Sequence, residues 1–271
     1  MILDQRARFE RFVERKMRQA AAAPIDRLST IFDRRDDNCF RGIGTAWTRT
    51  HYGGDFGLVV PPQGGTALSL VFVQSNDGNT GATDPASLGG GATDKHLIYE
   101  GLSRVAADAV LAGARTVHSG AFFSVWHPEL IELRRTFELP RHPAQIVVSK
   151  EGRVDVDALL FGVPEVPVIL IAGEEGALRL QPWLRQRPWI RHIPLGTDGL
   201  RPVIDRLRVE QGIRRISAIG GRVTATRLVD AGLAQDLYLT TTSREGGEPG
   251  TPWYSGAMPP TLIALAAFRI F

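Results

Sequence analysis

The chain has only one cysteine, Cys39, among its 271 residues. An intramolecular disulfide is therefore excluded, and so is a cysteine-rich zinc site. The six histidines are scattered without the spacing of a metal site, so we predict no metal ligands. A lone cysteine fits the reducing cytoplasm, where structural disulfides are rare, and we expect a cytoplasmic protein.

Long apolar runs and a strong excess of charge are missing as well. No apolar segment approaches the roughly 20 residues of a membrane-spanning helix, so no membrane partner is expected. The first residues, Met1–Arg6, become charged too early for a signal peptide. The 32 basic residues against 29 acidic ones give a formal charge of +3, which is too balanced to favour nucleic acid as a partner.

Several catalytic and nucleotide-binding motifs are also missing. No Gly-x-Gly-x-x-Gly follows the first long apolar run and no Walker loop occurs, so the standard dinucleotide fingerprint and the P-loop are both absent. No Gly-x-Ser-x-Gly marks a serine hydrolase, and no His-x-Glu with a later Cys-x-x-Cys marks a zinc deaminase. The Gly42-Ile43-Gly44 segment precedes no clear helix and is interpreted as a loop.

From Thr66 onward, strand-like apolar runs alternate with helical segments. The run Thr66–Val73 is almost entirely apolar, which is typical of a central strand buried on both faces. The alternation predicts an α/β fold with a mainly parallel central sheet and helices on both faces. Further strands are predicted at 108–112, 145–149, 166–171, 190–193, 214–219, 235–241 and 261–271, and helices at 94–106, 128–137, 198–211 and 221–231. Thr93 or Asp94 is expected to cap the first of these helices.

The first 66 residues have a different pattern. Four apolar side chains recur at spacings of three and four, which predicts a helix over residues 2–22. Glycine and proline are frequent between residues 53 and 65, as in a connecting segment. We therefore expect residues 1–66 to form an N-terminal helical extension with its connector, and residues 67–271 to form one domain.

The most informative segment is Ile213–Val229, where an apolar run gives way to a helical one at Gly220-Gly221. The first amides of a helix have no partners within the helix and carry the positive end of its dipole. Glycine at this point lets a phosphate approach the main chain closely. The segment is therefore interpreted as a site for a nucleotide or another phosphorylated ligand; the alternative is an ordinary tight turn.

Two other polar or glycine-containing turns follow predicted strands. They are Asp77–Asn79, after the first apolar run, and Gly113–Thr116, after the run 108–112. In open parallel sheets the ligand lies outside the carboxyl ends of the strands. We expect these two turns and Gly220–Val223 to converge on one ligand, although each alone could be an ordinary turn.

These blocks together resemble a known family. The segments that carry the resemblance are Ser75–Asn79, Ala107–Thr116, Val147–Ser149, Gly220-Gly221 and Gly232–Asp236. Over about residues 66–270 the chain resembles the reductase domain of the bacterial riboflavin-biosynthesis deaminase–reductase, a member of the dihydrofolate-reductase-like superfamily. The resemblance implies the fold of that superfamily, NADPH as cofactor, a small pyrimidine- or pterin-like substrate and a homodimer.

The resemblance also assigns roles to residues of this chain. Asp77 would face the substrate close to the nicotinamide, with Asn79 as its hydrogen-bonding neighbour; these two are the candidate catalytic residues. Ser149 would lie near the adenosine end, where the family accepts the 2′-phosphate. The candidate cofactor-binding residues are Gly113, Thr116, Ser149, Gly220, Gly221, Arg222 and Val223.

The chain departs from the family pattern at several positions. Asn79 stands where the family has lysine, and Ile219 stands where it has glutamate. An asparagine can donate a hydrogen bond but supplies neither a positive charge nor a proton. The family's Asp-x-Pro-x-Leu-x-x-Arg stretch is replaced by the aromatic segment His118–Trp126, and the deaminase domain is missing. Phe122, Phe123 or Trp126 would then either stack on a less charged substrate or cover the core.

We therefore predict an NADPH-dependent reductase that resembles 5-amino-6-(5-phosphoribosylamino)uracil reductase, with its exact substrate left open. Dihydrofolate reductase-type activity is one alternative, because a shared fold permits different substrates. A non-catalytic, nucleotide-binding member acting through its N-terminal helices is the other, and the lost motif lysine favours it.

Overall fold

The computed structural model of the chain describes residues 2–82, 85–256 and 265–270. Seven strands form a central sheet in the order β10-β4-β9-β5-β6-β7-β8, and every neighbouring pair runs parallel. The predicted parallel α/β architecture is confirmed. The strands are β1 Ser29–Asp33, β2 Phe40–Ile43, β3 Phe56–Val59, β4 Ala67–Gln74, β5 Ala109–Gly113, β6 Ala144–Val148, β7 Val168–Ala172, β8 Ile190–Pro194, β9 Arg215–Ala218, β10 Asp236–Thr241 and β11 Ala267–Ile270.

Helices cover both faces of this sheet. Alternate residues of each strand enter different cores because successive side chains of a strand point to opposite faces. Val110 of β5 packs in one core with the first helix, whereas Leu111 packs in the other with the last two helices. The helices are α1 Ile2–Ala21, α2 Ala46–Tyr52, α3 Gly91–Thr93, which continues in wider turns over Asp94–Leu102, α4 Pro128–Arg135, α5 Glu174–Leu184, α6 Arg201–Gln211 and α7 Arg222–Asp230.

The helix after β4 differs from the prediction. It begins at Gly91, three residues before the predicted start, so neither Thr93 nor Asp94 caps it. Thr93 instead accepts a hydrogen bond from the amide of Asp26, and the Asp94 carboxylate accepts one from the Thr240 hydroxyl of β10. Both side chains therefore tie this helix to distant parts of the chain.

The N-terminal extension contains more than helices. The helix predicted over 2–22 is present as α1, but residues 29–59 also supply three strands that the pattern did not predict. β2 pairs with β3, and β1 pairs antiparallel with β11. The predicted C-terminal strand is therefore observed at Ala267–Ile270, outside the central sheet, while residues 261–264 and 271 lie outside the described residues. A domain boundary at residue 66 stays a prediction.

Helix α1 lies over the aromatic segment that follows β5. Its Phe9 ring is 4.7 Å from that of Phe122, and its Phe12 ring is 5.6 Å from that of Trp126. Phe122 is 5% exposed and Trp126 4% exposed. These two rings therefore cover the core, and the alternative in which they stack on a substrate is wrong. Phe123 is half-buried against the same core.

A buried arginine connects α4 to the end of the 91–102 helix. Arg134 is 1% exposed, and its Nε donates to the carbonyl of Pro140 over 2.8 Å. Its Nη1 donates to the carbonyls of Arg104, Val105 and Ala107 at 3.3, 3.1 and 2.8 Å. One guanidinium thus satisfies carbonyl groups that a helix end leaves without partners.

We expect Arg134→Ala to lower the free energy of unfolding by about 3 kcal/mol or more, because several buried carbonyls lose a charged donor at once. Urea denaturation followed by circular dichroism measures the change. Arg135→Ala is the matched control, since the neighbouring Arg135 forms only an exposed ion pair with Glu132 and surface pairs contribute little. Equal destabilisation by the two substitutions would contradict this role of Arg134.

Candidate functional site

The turn between β9 and α7 is built from two glycines that both adopt positive φ angles. Gly220 has a φ of 128° and Gly221 a φ of 81°. Residues with a Cβ atom rarely adopt these φ angles, so both positions of this turn need glycine. Gly221 is the residue before α7, and no side chain caps this helix start. Among the described residues, none accepts a hydrogen bond from the amides of Gly221, Arg222 or Val223.

The turn after β5 lies directly against this glycine pair. The amide of Gly113 donates to the carbonyl of Gly220 over 3.3 Å. A Cβ atom at Gly221 would lie 3.6 Å from Cα of Gly113 and 3.7 Å from the hydroxyl oxygen of Thr116. Gly113, Thr116, Gly220 and Gly221 are therefore brought together. That these turns and Asp77–Asn79 converge on one ligand stays a prediction.

The next two predicted residues differ in their surroundings. The Arg222 guanidinium lies 3.7 Å from the Glu248 carboxylate, so it pairs with a loop that follows β10. The Val223 side chain is 56% exposed and makes no contribution to the core. The parts of Arg222 and Val223 that could bind a phosphate are their backbone amides, which lie in the first turn of α7 and have no partners within the helix.

Ser149 lies at the end of β6, beside a large crevice. It is 6% exposed, and its hydroxyl donates to the carbonyl of Arg153 over 3.1 Å. The crevice has a volume of about 990 Å³ and is lined by its sequence neighbour Lys150 together with His192, Thr224 and Arg227. Thr224 belongs to the first turn of α7, so the crevice reaches the start of that helix, next to the glycine turn.

Asp77 and Asn79 belong to a turn after β4 that is fixed by the loop after β10. The Asn79 amide nitrogen donates to Asp77 Oδ2 over 2.7 Å, and its oxygen accepts from the amide of Thr251 over 3.2 Å. The Gly246 amide donates to Asp77 Oδ1 over 3.3 Å. Asn79 is buried and its polar atoms are engaged, whereas Asp77 is exposed.

Hydrogen bonds lower the pKa of the Asp77 carboxyl. The Ser75 hydroxyl contributes most, followed by the backbone amides of Asp77 itself and of Gly246 and by the Asn79 side chain. A carboxylate that accepts several hydrogen bonds is stabilised in its charged form. Asp77 is therefore ionised at neutral pH and suits orientation of a ligand better than donation of a proton.

Asp94 is a polar residue of this region that the sequence pattern indicated only as a possible helix cap. Burial raises the pKa of its carboxyl to about 6, with the Thr240 hydrogen bond acting in the opposite direction. It lies on the helix that follows the loop after β4. This carboxyl is therefore protonated more easily than that of an ordinary aspartate.

Residues 2–82, 85–256 and 265–270 contain no cluster of three or more histidine, cysteine, aspartate or glutamate residues suited to a metal ion. Over the same ranges, no helix has both the length and the apolar character to cross a membrane.

We expect Gly113→Ala to lower the free energy of unfolding by about 1 to 3 kcal/mol through overpacking. The new Cβ would lie 2.6 Å from the Thr224 hydroxyl oxygen, whereas the backbone of Gly113, at a φ of −71°, is open to alanine. Either the Thr224 side chain or the start of α7 must therefore shift. Urea denaturation measures the effect.

Thr224→Ala removes the clashing hydroxyl, so the double variant tests the contact itself. In that background Gly113→Ala should cost less than about 1 kcal/mol, because contacting sites are not additive. The same cost in both backgrounds would show that the two turns do not meet as described.

Three solved structures share this fold. A pyrimidine reductase-like protein of Corynebacterium diphtheriae matches with a TM-score of 0.52 and 19% identity, over 71% of this chain and 80% of that one. A deaminase/5-amino-6-(5-phosphoribosylamino)uracil reductase of Thermotoga maritima matches with a TM-score of 0.51 and 17% identity, over 76% and 56%. RibD of Acinetobacter baumannii matches with a TM-score of 0.51 and 13% identity, over 76% and 57%.

No family model and no curated protein matches the chain. At the identities of the three structures a likeness establishes the fold alone. The fold expected from the sequence resemblance is thereby confirmed: the chain has the architecture of these reductase structures.

Proposed function

We propose that the protein is an NADPH-dependent reductase that acts on a small heterocyclic substrate. The observation that carries the proposal is the contact between the Gly113 and Gly220 turns, beside free amides at the start of α7. Such amides bind phosphate groups readily. Solved structures of the same fold named as reductases support the same activity.

The residues present fit the diphosphate of a dinucleotide. Side chains are absent at Gly220 and Gly221, so a phosphate can approach the backbone where a Cβ would otherwise lie. The amides of Gly221, Arg222 and Val223 would bind the diphosphate, and the Thr116 hydroxyl lies beside them. When bound, the cofactor supplies a hydride to the substrate.

The crevice beside Ser149 suits the adenosine half of the cofactor. Its volume of about 990 Å³ is large enough for a nucleoside, and it adjoins α7 at Thr224. Lys150 and Arg227 line it together with Glu174, Asp198 and Asp230. The two cationic side chains would attract the 2′-phosphate that distinguishes NADPH from NADH. Ser149, the sequence neighbour of Lys150, would lie next to this adenosine end of the site.

Asp77 and Asn79 would lie on the substrate side of the bound cofactor. Their turn is held by the loop 244–251, and that loop also pairs with Arg222 through Glu248. The ionised Asp77 carboxylate would accept hydrogen bonds from ring N–H groups of a pyrimidine or pterin. Asn79 would keep Asp77 in place, because its own amide is already engaged. A homodimer and a cytoplasmic location remain predictions from the sequence.

We expect Gly221→Asp to weaken NADPH binding by at least about 100-fold, because its carboxylate would oppose the diphosphate at the helix start. Isothermal titration calorimetry gives the dissociation constant, and NADH should bind more weakly than NADPH to the unchanged protein.

Gly212→Asp is the matched control for strain. Gly212 ends α6 with a φ of 67° and has open space around a Cβ, so aspartate there carries the same charge and a similar backbone cost. NADPH binding should be unaffected by this substitution. Equal affinity of wild type and Gly221→Asp would refute the proposed diphosphate site.

Turnover is tested by following NADPH absorbance with two substrates. One is the deaminated phosphoribosylaminopyrimidine that the Thermotoga enzyme's name implies, and the other is dihydrofolate. Oxidation of NADPH with either supports the reductase and indicates its substrate class. Tight NADPH binding without oxidation by either would favour the non-catalytic alternative.

A further inference from the structure

The backbone of Glu248 is fixed beside the segment that follows β4. Its amide donates to the carbonyl of Gly81 over 2.7 Å, and its carbonyl accepts a hydrogen bond from the Thr251 hydroxyl. Gly81 and Glu248 also form an isolated antiparallel bridge. The backbone of Glu248 is therefore held in one place, whereas its side chain is 70% exposed and can rotate.

Gly81 leaves the room that the Glu248 carboxylate occupies. A Cβ atom at Gly81 would lie 2.9 Å from Cβ of Glu248 and 3.0 Å from its Oε2. From this position Oε2 lies 3.7 Å from Nη2 of Arg222, the first residue of α7. The carboxylate is therefore placed between the segment after β4 and the helix start that would bind the diphosphate.

This carboxylate supplies a negative charge that the start of α7 lacks. The first turn of α7 contains no acidic residue, whereas α5 begins with Glu174 and Glu175. Acidic groups near a helix start interact favourably with the helix dipole. Glu248 brings such a group to Arg222 from a distant segment. While the pair persists, Arg222 offers a phosphate its backbone amide but not its guanidinium.

Arg222 and Glu248 form an ion pair that a phosphate can replace. Their side chains are 34% and 70% exposed, and the separation of 3.7 Å is longer than a charge-assisted hydrogen bond. Exposed pairs of this kind contribute little free energy. Arginine often binds phosphate through two parallel hydrogen bonds, and a diphosphate carries more negative charge than a carboxylate. A diphosphate at the start of α7 would therefore compete successfully for the Arg222 guanidinium.

We propose that Glu248 is an autoinhibitory residue of the cofactor site: it holds the Arg222 guanidinium in the free protein and yields it to the diphosphate of a bound dinucleotide. This inference rests on the proposed function and deepens it. Only the Glu248 side chain needs to turn towards solvent, because its backbone stays bound to Gly81. The competition lowers the affinity of the site for phosphate ligands, a loss that a dinucleotide offsets through its other contacts.

Glu248→Gln should bind NADPH about 3- to 10-fold more tightly than the unchanged protein, because the competing charge beside Arg222 is removed. Isothermal titration calorimetry measures the dissociation constants. Glu245→Gln is the matched control, since Glu245 is exposed in the same loop and loses the same charge. Its NADPH affinity should stay within about twofold of wild type. Equal affinity of wild type and Glu248→Gln would overturn the role of Glu248.

A double-mutant cycle tests whether Glu248 acts through Arg222. Arg222→Gln alone should weaken NADPH binding about 10-fold, through loss of a charged phosphate donor. In that background Glu248→Gln should change the affinity by less than about twofold, because no guanidinium is left to release. The same gain in both backgrounds would show that Glu248 acts without holding Arg222, and would overturn the exchange.

Inorganic phosphate provides a second probe of the same place. Its dissociation constant, measured by competition with NADPH, should fall in Glu248→Gln by a factor similar to that for NADPH, since both ligands would use Arg222. An unchanged constant for phosphate would place the effect away from the phosphate site and overturn the proposal. The melting temperature without ligand should be the same for wild type and Glu248→Gln, because an exposed pair contributes little to stability.

The same titrations separate this inference from the proposed function. If neither wild type nor Glu248→Gln binds NADPH, the proposed function fails, and the role of Glu248 fails with it. If wild type binds NADPH and Glu248→Gln binds it no more tightly, only the role of Glu248 fails.

Discussion

The close approach of two backbones, at Gly113 and Gly220, is the constraint on which the candidate site depends. A hydrogen bond of 3.3 Å joins them, and Thr224 fills the space that a side chain on Gly113 would need. The ends of β5 and β9 are thereby held together and the first amides of α7 are directed to one point. Glycine is required here by packing, independently of any ligand.

The central sheet was predictable because its strands are buried on both faces. A strand such as Val168–Ala172 must be apolar throughout, and such runs are recognisable without tertiary information. The strand β1 is short and largely exposed, and no local pattern marked it. The apolar run 261–271 predicted β11 but not its partner, because β1 and β11 pair over more than two hundred residues of chain. Helix α5 was missed for a related reason: Leu178 is 64% exposed and Pro182 lies inside it, which blurs its helical pattern.

The candidate site was predictable only where backbone geometry decides it. Glycines after strands mark a close approach or a tight turn, and these were found. Asp94 was missed because its environment comes from Thr240, 146 residues away. One signal was present in the sequence: Asp94 precedes Leu97 and Ile98 by three and four residues, so a helix places it on the buried face. A carboxyl group on such a face needs an explanation.

The carboxyl groups of Asp77 and Asp94 differ in the direction of their pKa shifts because their surroundings differ. The loop after β10 supplies the Gly246 amide to Asp77, whereas β10 itself supplies only a hydroxyl, from Thr240, to Asp94. Asp77 consequently stays ionised, whereas burial raises the pKa of Asp94. The N-terminal extension contacts the same helix one residue earlier, through the hydrogen bond from the Asp26 amide to Thr93. Two carboxyl groups on neighbouring segments thus differ in pKa because one accepts hydrogen bonds at the surface and the other is buried.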